Sequence, residues 1–189
     1  IGVTCLLVTT SYLIYGWYLG STAKEEAKQQ LASLGIQEVV VESFPTFLQV
    51  HYRRIVARTP TADWVGYISM WRPCTIEWGR AEQSPLSAFN AVSDLREVEI
   101  FEWFAMGWLH KTVAEEEGNT VYQYADLRYG LVPDPKDSFF SLNVTDTNKG
   151  FELNTQNPIS NSGEIGARID NLFQSAYPSS CEQPSVGLR

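Results

Sequence analysis

The first 20 residues constrain the fold most, because the run from Ile1 to Gly20 contains no Asp, Glu, Lys, Arg or His. A helix of about 20 residues rises about 30 Å, which is the thickness of the hydrocarbon core of a bilayer. Tyr15, Trp17 and Tyr18 cluster near the end of the run, as aromatic rings do where a spanning helix meets lipid headgroups. We therefore predict a transmembrane helix over residues 1–20, through which the chain has the lipid bilayer as a partner.

Two alternatives for this run stay open. A cleaved signal peptide has a basic first segment and a shorter apolar core. Neither is seen, although the small residues from Gly20 to Ala23 resemble a cleavage site. A buried core helix is the other alternative, since Thr and Ser are frequent in the run.

The sequence begins at Ile1 without an initiator Met, so we expect a fragment or a processed product, with further transmembrane helices possible upstream. Lys24 and Lys28 follow the run, but Glu25 and Glu26 lie between them. These flanking charges give no clear excess of basic residues, so the side of the membrane on which the soluble part lies stays open.

Composition limits the partners of the remaining residues. The net charge is −8, and every charged residue follows Gly20. An acidic domain repels phosphate backbones, so we expect no nucleic-acid partner. The hydrophobic fraction of 44% and the aromatic fraction of 13% are typical of a folded domain.

Residue periodicity predicts an α+β fold, with a mostly antiparallel sheet and segregated helices after the transmembrane helix. A juxtamembrane helix is predicted over 21–36, with Ala23, Ala27, Leu31 and Leu34 on one stripe and Gly35 as its C-cap. The soluble domain is predicted over 37–177 and a flexible tail over 178–189.

Within this domain, extended patterns alternate with turn residues. Pro45 is expected to interrupt the first strand. The predicted strands are 37–41, 51–58, 64–71, 75–78, 111–116, 120–129, 139–145 and 151–154.

Helical patterns occupy three further segments. A short helix is predicted over 85–92 and a longer one through Trp108, with Asp94 and Glu97 as a capping box. The stretch 98–104 also fits a strand. A last helix is predicted over 165–176, with four residues inward: Ile165, Ile169, Leu172 and Phe173.

Cysteine and histidine spacing gives no metal or redox motif. Cys74 and Cys181 are distant and no CxxC occurs, so we favour two unpaired thiols over a disulfide. His51 and His110 are the two histidines, and no HExxH, GxSxG or phosphate-binding loop is present. We expect each histidine to be a polar residue at an element end, and we predict no metal ligands and identify no catalytic residue.

A group of charged residues gives the candidate binding site. Asp126 and Arg128 lie two apart on a predicted strand and so share a face, and Arg53 and Arg54 lie on another strand. We take Arg54, Asp126 and Arg128 as the candidate residues. A carboxylate among guanidinium groups is either a structural ion-pair cluster, which we favour, or the floor of an anion site.

Six segments in order resemble the C-terminal region of the YdjM-like family of bacterial inner-membrane proteins, described as metal-dependent hydrolases. They are 45–48 (PTFL), 54–56 (RIV), 66–69 (GYIS), 101–104 (FEWF), 126–130 (DLRYG) and 139–153. Order and spacing agree over roughly residues 21–154. The family often has Trp just before the motif arginine, whereas Arg53 stands there in this chain.

The resemblance implies a location in the bacterial inner membrane and a divalent metal for the whole protein. The family's proposed His and Asp ligands belong to a multi-spanning N-terminal part, so this chain is expected to be an accessory, non-catalytic domain with its single spanning helix. The substrate is not indicated. The alternative is a membrane-tethered binding or scaffold module without enzymatic activity.

Overall fold

The computed structural model describes residues 2–46, 49–155 and 170–181. The described elements follow in chain order: α1 Gly2–Ser33, β1 Val40–Thr46, β2 Gln49–Arg58, β3 Ala62–Ser69, β4 Gly79–Glu82, a 3₁₀ turn Leu86–Phe89, α2 Arg96–Phe104, β5 Leu109–Glu116, β6 Asn119–Asp126, β7 Ser141–Thr147 and β8 Gly150–Asn154. Residues 170–176 are also helical. The predicted α+β class is confirmed, with the strands divided into two antiparallel sheets, β1-β2-β3-β4 and β5-β6-β7-β8.

The predicted transmembrane and juxtamembrane helices are one continuous helix, α1. It is long and apolar enough to cross a membrane by length and composition. Residues 2–18 are exposed apart from half-buried Gly16, and a buried stripe then begins at Leu19 and continues through Ala23, Ala27 and Leu31. This stripe packs against β1 and β2.

The end of α1 differs from the prediction in one residue. Leu34 is 61% exposed and lies outside the buried stripe, because the helix ends at Ser33. Gly35 has a φ of +82°, a left-handed conformation that glycine adopts readily and that turns the chain away from the helix axis. The predicted C-cap glycine is confirmed.

The first sheet departs from the predicted strands at both of its edges. Pro45 lies inside β1 and does not end the strand, but the β1–β2 register shifts directly after it. The proline is tolerated because β1 is an edge strand, where a backbone N–H can be missing. The strand predicted over 75–78 is wrong, and the other edge strand is β4, whose Gly79 pairs with Val65. Gly79 also allows close approach of the chain at Pro133, since a Cβ atom there would lie 1.4 Å from the Pro133 carbonyl oxygen.

Helix α2 is shorter than predicted. It begins after Leu95 without a side-chain capping bond, so the predicted capping box is wrong. It ends at Phe104 because Met106 and Gly107, with φ of +49° and +81°, take left-handed conformations that cannot continue the helix. The helix predicted over 85–92 is the single 3₁₀ turn.

The second sheet has the predicted hairpins. Glu117 and Gly118 connect β5 to β6 with φ of +52° and +80°, the pair of positive values that a tight hairpin turn requires. Its core contains Val98 of α2, Tyr122 and Val144. Of the last predicted helix, Ile165 and Ile169 lie outside the described residues, Leu172 is buried as predicted, and Phe173 is 43% exposed against the prediction.

The cysteine prediction is wrong, because Cys74 and Cys181 form a disulfide. Cys181 follows the helical residues 170–176, and those residues are brought to the end of β3 by Ser69, whose hydroxyl donates to the Ala176 carbonyl at 2.6 Å. Sequence spacing alone did not indicate that the chain returns to this point.

Candidate functional site

The Asp126–Arg128 ion pair is confirmed, but it lies at a strand end and not within a strand. Strand β6 ends at Asp126, and Arg128 is in the turn that follows. The Arg128 Nη2 atom donates to Asp126 Oδ2 at 2.6 Å, and Nε donates to Oδ1 at 2.9 Å. The Arg128 backbone N–H also donates to Oδ1, at 3.0 Å, so the carboxylate closes the turn.

This pair is buried and its donors are directed into the protein. Asp126 is fully buried and Arg128 is 6% exposed. Arg128 Nη2 also donates to the Phe104 carbonyl at 2.8 Å, and its guanidinium lies over the rings of Phe104 and Tyr129. The hydrogen bond to Asp126 raises the pKa of Arg128 above its usual value. The pair therefore has the geometry of a structural ion pair that stabilises the turn.

Arg54 forms a separate cluster between the two sheets. It is 1% exposed and donates to three backbone carbonyls: Leu127 at 2.7 Å, Val132 at 3.0 Å and Asp137 at 3.3 Å. It also donates to the Tyr67 hydroxyl, which in turn donates to Gly130. Burial raises the pKa of Tyr67. The three candidate residues thus form two clusters, and these contacts of Arg54 do not include the Asp126 carboxylate.

Gly130 makes the Arg54 cluster possible. A Cβ atom at this position would lie 2.4 Å from the Asp137 carbonyl oxygen and 2.8 Å from Arg54 Nη1. The glycine of the DLRYG segment is therefore needed for close approach of the segment after β6 to the arginine on β2.

A third cluster, which the sequence did not indicate, joins Asp63 of β3 to His110 of β5. Asp63 Oδ2 lies 2.9 Å from His110 Nδ1, and Asp63 Oδ1 accepts from Arg58 Nε at 2.7 Å. Asp63 is fully buried and His110 is 2% exposed. Because a carboxylate accepts and does not donate, Nδ1 is assigned a proton, and Nε2 carries the lone pair when the imidazole is neutral.

The imidazole is incompletely satisfied. His110 Nε2 is buried and has no hydrogen-bond partner among the residues that the structure describes. A buried polar atom without a partner typically costs about 1–3 kcal/mol, so such atoms in a folded protein often mark a place where another group binds. An imidazole oriented by a carboxylate is also the usual arrangement of a general base or of a metal-binding histidine.

His110 lines a polar cleft of about 200 Å³ on the second sheet. His110, Ala125 and Ser141 stand opposite one another on β5, β6 and β7, and the next row consists of Thr112, Gln123 and Asn143. Residues directly opposite in an antiparallel sheet share a face. Lys136 also lines the cleft. The cleft thus presents hydroxyl and amide groups beside the imidazole.

His51 and clusters of metal-binding side chains are the remaining candidates for a functional site. His51 lies beside α1, with its ring centroid 5.6 Å from that of Tyr15. Over residues 2–46, 49–155 and 170–181, no group of three His, Cys, Asp or Glu side chains is placed to hold a metal ion. The His110 cleft is therefore the strongest candidate site in the described part of the chain.

Comparisons with family models, with curated proteins and with solved structures found no match for this chain. A proposal for the function therefore rests on the chemistry of these clusters and on the resemblance seen in the sequence.

Proposed function

We propose that this chain is the extramembrane domain, with its membrane helix, of a bacterial inner-membrane protein of the metal-dependent hydrolase type. In this proposal the domain is accessory and binds a small polar ligand in the His110 cleft, while the catalytic metal is held elsewhere in the whole protein. The DLRYG segment and the segments before it resemble the YdjM-like family, and this resemblance supports the hydrolase type. The unpartnered Nε2 atom of His110 supports the binding role.

The cleft favours a small, neutral ligand that carries hydroxyl groups. Its volume of about 200 Å³ is below the ~300–1,000 Å³ of pockets that hold drug-sized molecules. A ligand hydroxyl can donate to Nε2 of a neutral His110 and exchange a further hydrogen bond with the amide of Asn143. An anion is less favoured, because Lys136 is the one cationic side chain among the described residues of the lining and the chain has a net charge of −8.

The binding proposal is tested by NMR of the full-length chain with ¹⁵N-labelled histidine. The two histidines make His51 an internal control for non-specific effects. Glycerol and glucose, as neutral hydroxylated probes, are expected to shift the His110 signal saturably and to leave His51 unchanged. Asp63→Asn should weaken this binding about fivefold or more, because loss of one buried hydrogen bond is worth about 1–3 kcal/mol.

Other outcomes of this titration would separate the alternatives. A saturable shift with inorganic phosphate and none with the neutral probes would contradict the ligand class. No response of His110 to any probe would contradict the binding role and leave the scaffold module as the better description.

The Cys74–Cys181 disulfide supports an orientation for the membrane helix. Disulfides persist in the bacterial periplasm and are rare in the reducing cytosol. We therefore propose that the soluble domain lies on the periplasmic face. Cys5, in the apolar part of α1, is the free cysteine.

The orientation predicts a labelling pattern. The chain is isolated from cells under acid quench, denatured in detergent and treated with a maleimide. One of its three cysteines, Cys5, is expected to react without reductant, and all three after reduction. Three labels without reductant would place the domain in the cytosol. A Cys5→Ser variant is the control, and it should give no label before reduction.

A further inference from the structure

A row of aromatic rings runs from α1 onto the soluble domain. Tyr15 contacts His51 edge to face, with ring centroids 5.6 Å apart, and His51 contacts Trp71 at 6.1 Å. Trp71 contacts Tyr177, also at 6.1 Å. Trp71 is 67% exposed and Tyr177 is 51% exposed, although both are large and apolar. We call these four residues the aromatic row.

The row is held rigidly on the domain. Tyr177 follows Ala176, whose carbonyl accepts from Ser69, and Arg72 donates to the Ser179 carbonyl. The Cys74–Cys181 disulfide closes the same junction. The position of Tyr177 beside Trp71 is therefore set by contacts on both sides of it.

Helix α1 is also fixed to the domain by direct contacts. Gly20 lies against Arg53, and a Cβ atom there would be 2.6 Å from Arg53 Nη2. Farther along the helix, Lys24 Nζ donates to Glu42 at 2.8 Å. The helix therefore continues from the exposed apolar part into a docked part without a flexible linker.

The contacts of α1 also show which end of the first sheet faces the bilayer. Tyr15 lies beside His51, Gly20 beside Arg53, and Lys24 beside Glu42. Glu42 is paired with Val56, so β2 runs alongside α1 and away from its apolar end. His51 and the aromatic row lie at the membrane-facing end of β2, and Arg58 lies at the far end.

The depth of the row follows from α1. The exposed residues 2–18 rise about 25 Å at about 1.5 Å per residue, most of the ~30 Å hydrocarbon core. Tyr15 is in the last turn of this stretch, so it lies close to the headgroup region. Its neighbours in the row are at a similar height, and Trp and Tyr side chains favour that region because they combine an apolar ring with a polar group.

We infer that the aromatic row docks the soluble domain onto the headgroup region of the bilayer. This inference rests on the proposed membrane location of α1. Exposed Arg72, next to Trp71, adds a cation that attracts lipid phosphate groups. The domain is thereby held on the membrane in one orientation. In this orientation Arg58, at the far end of β2, and the Asp63–His110 contact lie away from the bilayer.

The test uses the full-length chain labelled with 5-fluorotryptophan in phosphatidylcholine vesicles, with a gadolinium chelate on the lipid headgroups. Single Trp→Phe variants assign the ¹⁹F signals. Trp17 reports on insertion of α1 and Trp71 on docking of the domain. Trp103 is the matched exposed control, because it precedes Gly107, whose carbonyl binds Arg58 at the far end of β2.

The signals of Trp17 and Trp71 are expected to broaden several-fold more than the signal of Trp103. Broadening of Trp17 but not of Trp71 would overturn the docking and leave the membrane helix in place. No broadening of Trp17 would instead show that the membrane location itself is wrong. A Tyr177→Ser variant should reduce the broadening of Trp71 without changing that of Trp17, and an unchanged Trp71 signal would contradict a role for the whole row.

Discussion

Replacing Asp126 by alanine is expected to lower the free energy of unfolding by about 3–5 kcal/mol, because the change leaves the charge of Arg128 buried without its partner. Asp126 is fully buried and accepts three donors from Arg128, two from the guanidinium and one from the backbone. Urea unfolding of the full-length chain in detergent micelles, followed by tryptophan fluorescence, measures the change.

The Arg80–Glu82 pair provides a matched control with the same spacing in the sequence. Arg80 Nη2 lies 3.1 Å from Glu82 Oε1, but the Glu82 side chain is 74% exposed. An exposed pair is worth about 0–1 kcal/mol, so Glu82→Ala should change the unfolding free energy little. Equal effects of Asp126→Ala and Glu82→Ala would show that burial of the Asp126–Arg128 pair does not determine its contribution.

The parts of the fold that sequence reasoning predicted are those fixed by local chemistry. The absence of charges over 1–20 and the stripe of Ala23, Ala27 and Leu31 predicted the two halves of α1. The two predicted halves form one continuous helix, whose surroundings change from exposed to packed at Leu19. Gly35 was predicted as a C-cap because glycine adopts a positive φ readily.

The failures occurred where hydrophobic periodicity does not reveal edge position or backbone conformation, and where the contact is distant in sequence. The edge position of β1 tolerates Pro45, and the left-handed Met106 and Gly107 end α2 before Trp108. Neither feature follows from hydrophobic periodicity. The Cys74–Cys181 disulfide spans 107 positions, and spacing carries no information over such a distance.

The candidate site shows the same difference between contacts that are close in sequence and contacts that are distant. Asp126 and Arg128 were predicted as a pair because two residues so close in sequence can meet in almost any turn or strand. The Asp63–His110 contact joins positions 47 apart on different sheets, and neither residue belongs to a recognisable motif. Only the fold shows that His110 is oriented by a carboxylate and left with an unpartnered nitrogen among the described residues.

Loss of Arg54 should weaken the contact between the first sheet and the segment after β6. Its guanidinium donates to the carbonyls of Leu127, Val132 and Asp137, which lie 73 or more positions away in the segment after β6. Arg54→Met keeps most of the apolar volume but removes all of these donors. A buried acceptor left without a donor costs about 1–3 kcal/mol. The bond to Leu127 is buried and the other two are part-buried, so we expect a loss of at least about 2 kcal/mol in the free energy of unfolding.

The neighbouring Arg53 is the control for this substitution. Its donors reach Ser43 on the adjacent strand of the same sheet, through Nε at 3.0 Å and Nη2 at 3.3 Å. Arg53→Met should therefore cost about 1 kcal/mol in the same urea experiment, because both acceptors belong to half-buried Ser43, where water can replace the lost donors. Arg54→Lys should rescue Arg54→Met only partly, because one ammonium group cannot reproduce the planar fork that reaches three carbonyls. Full rescue by lysine would show that a positive charge, and not the geometry of the guanidinium, holds the segment after β6 against the first sheet.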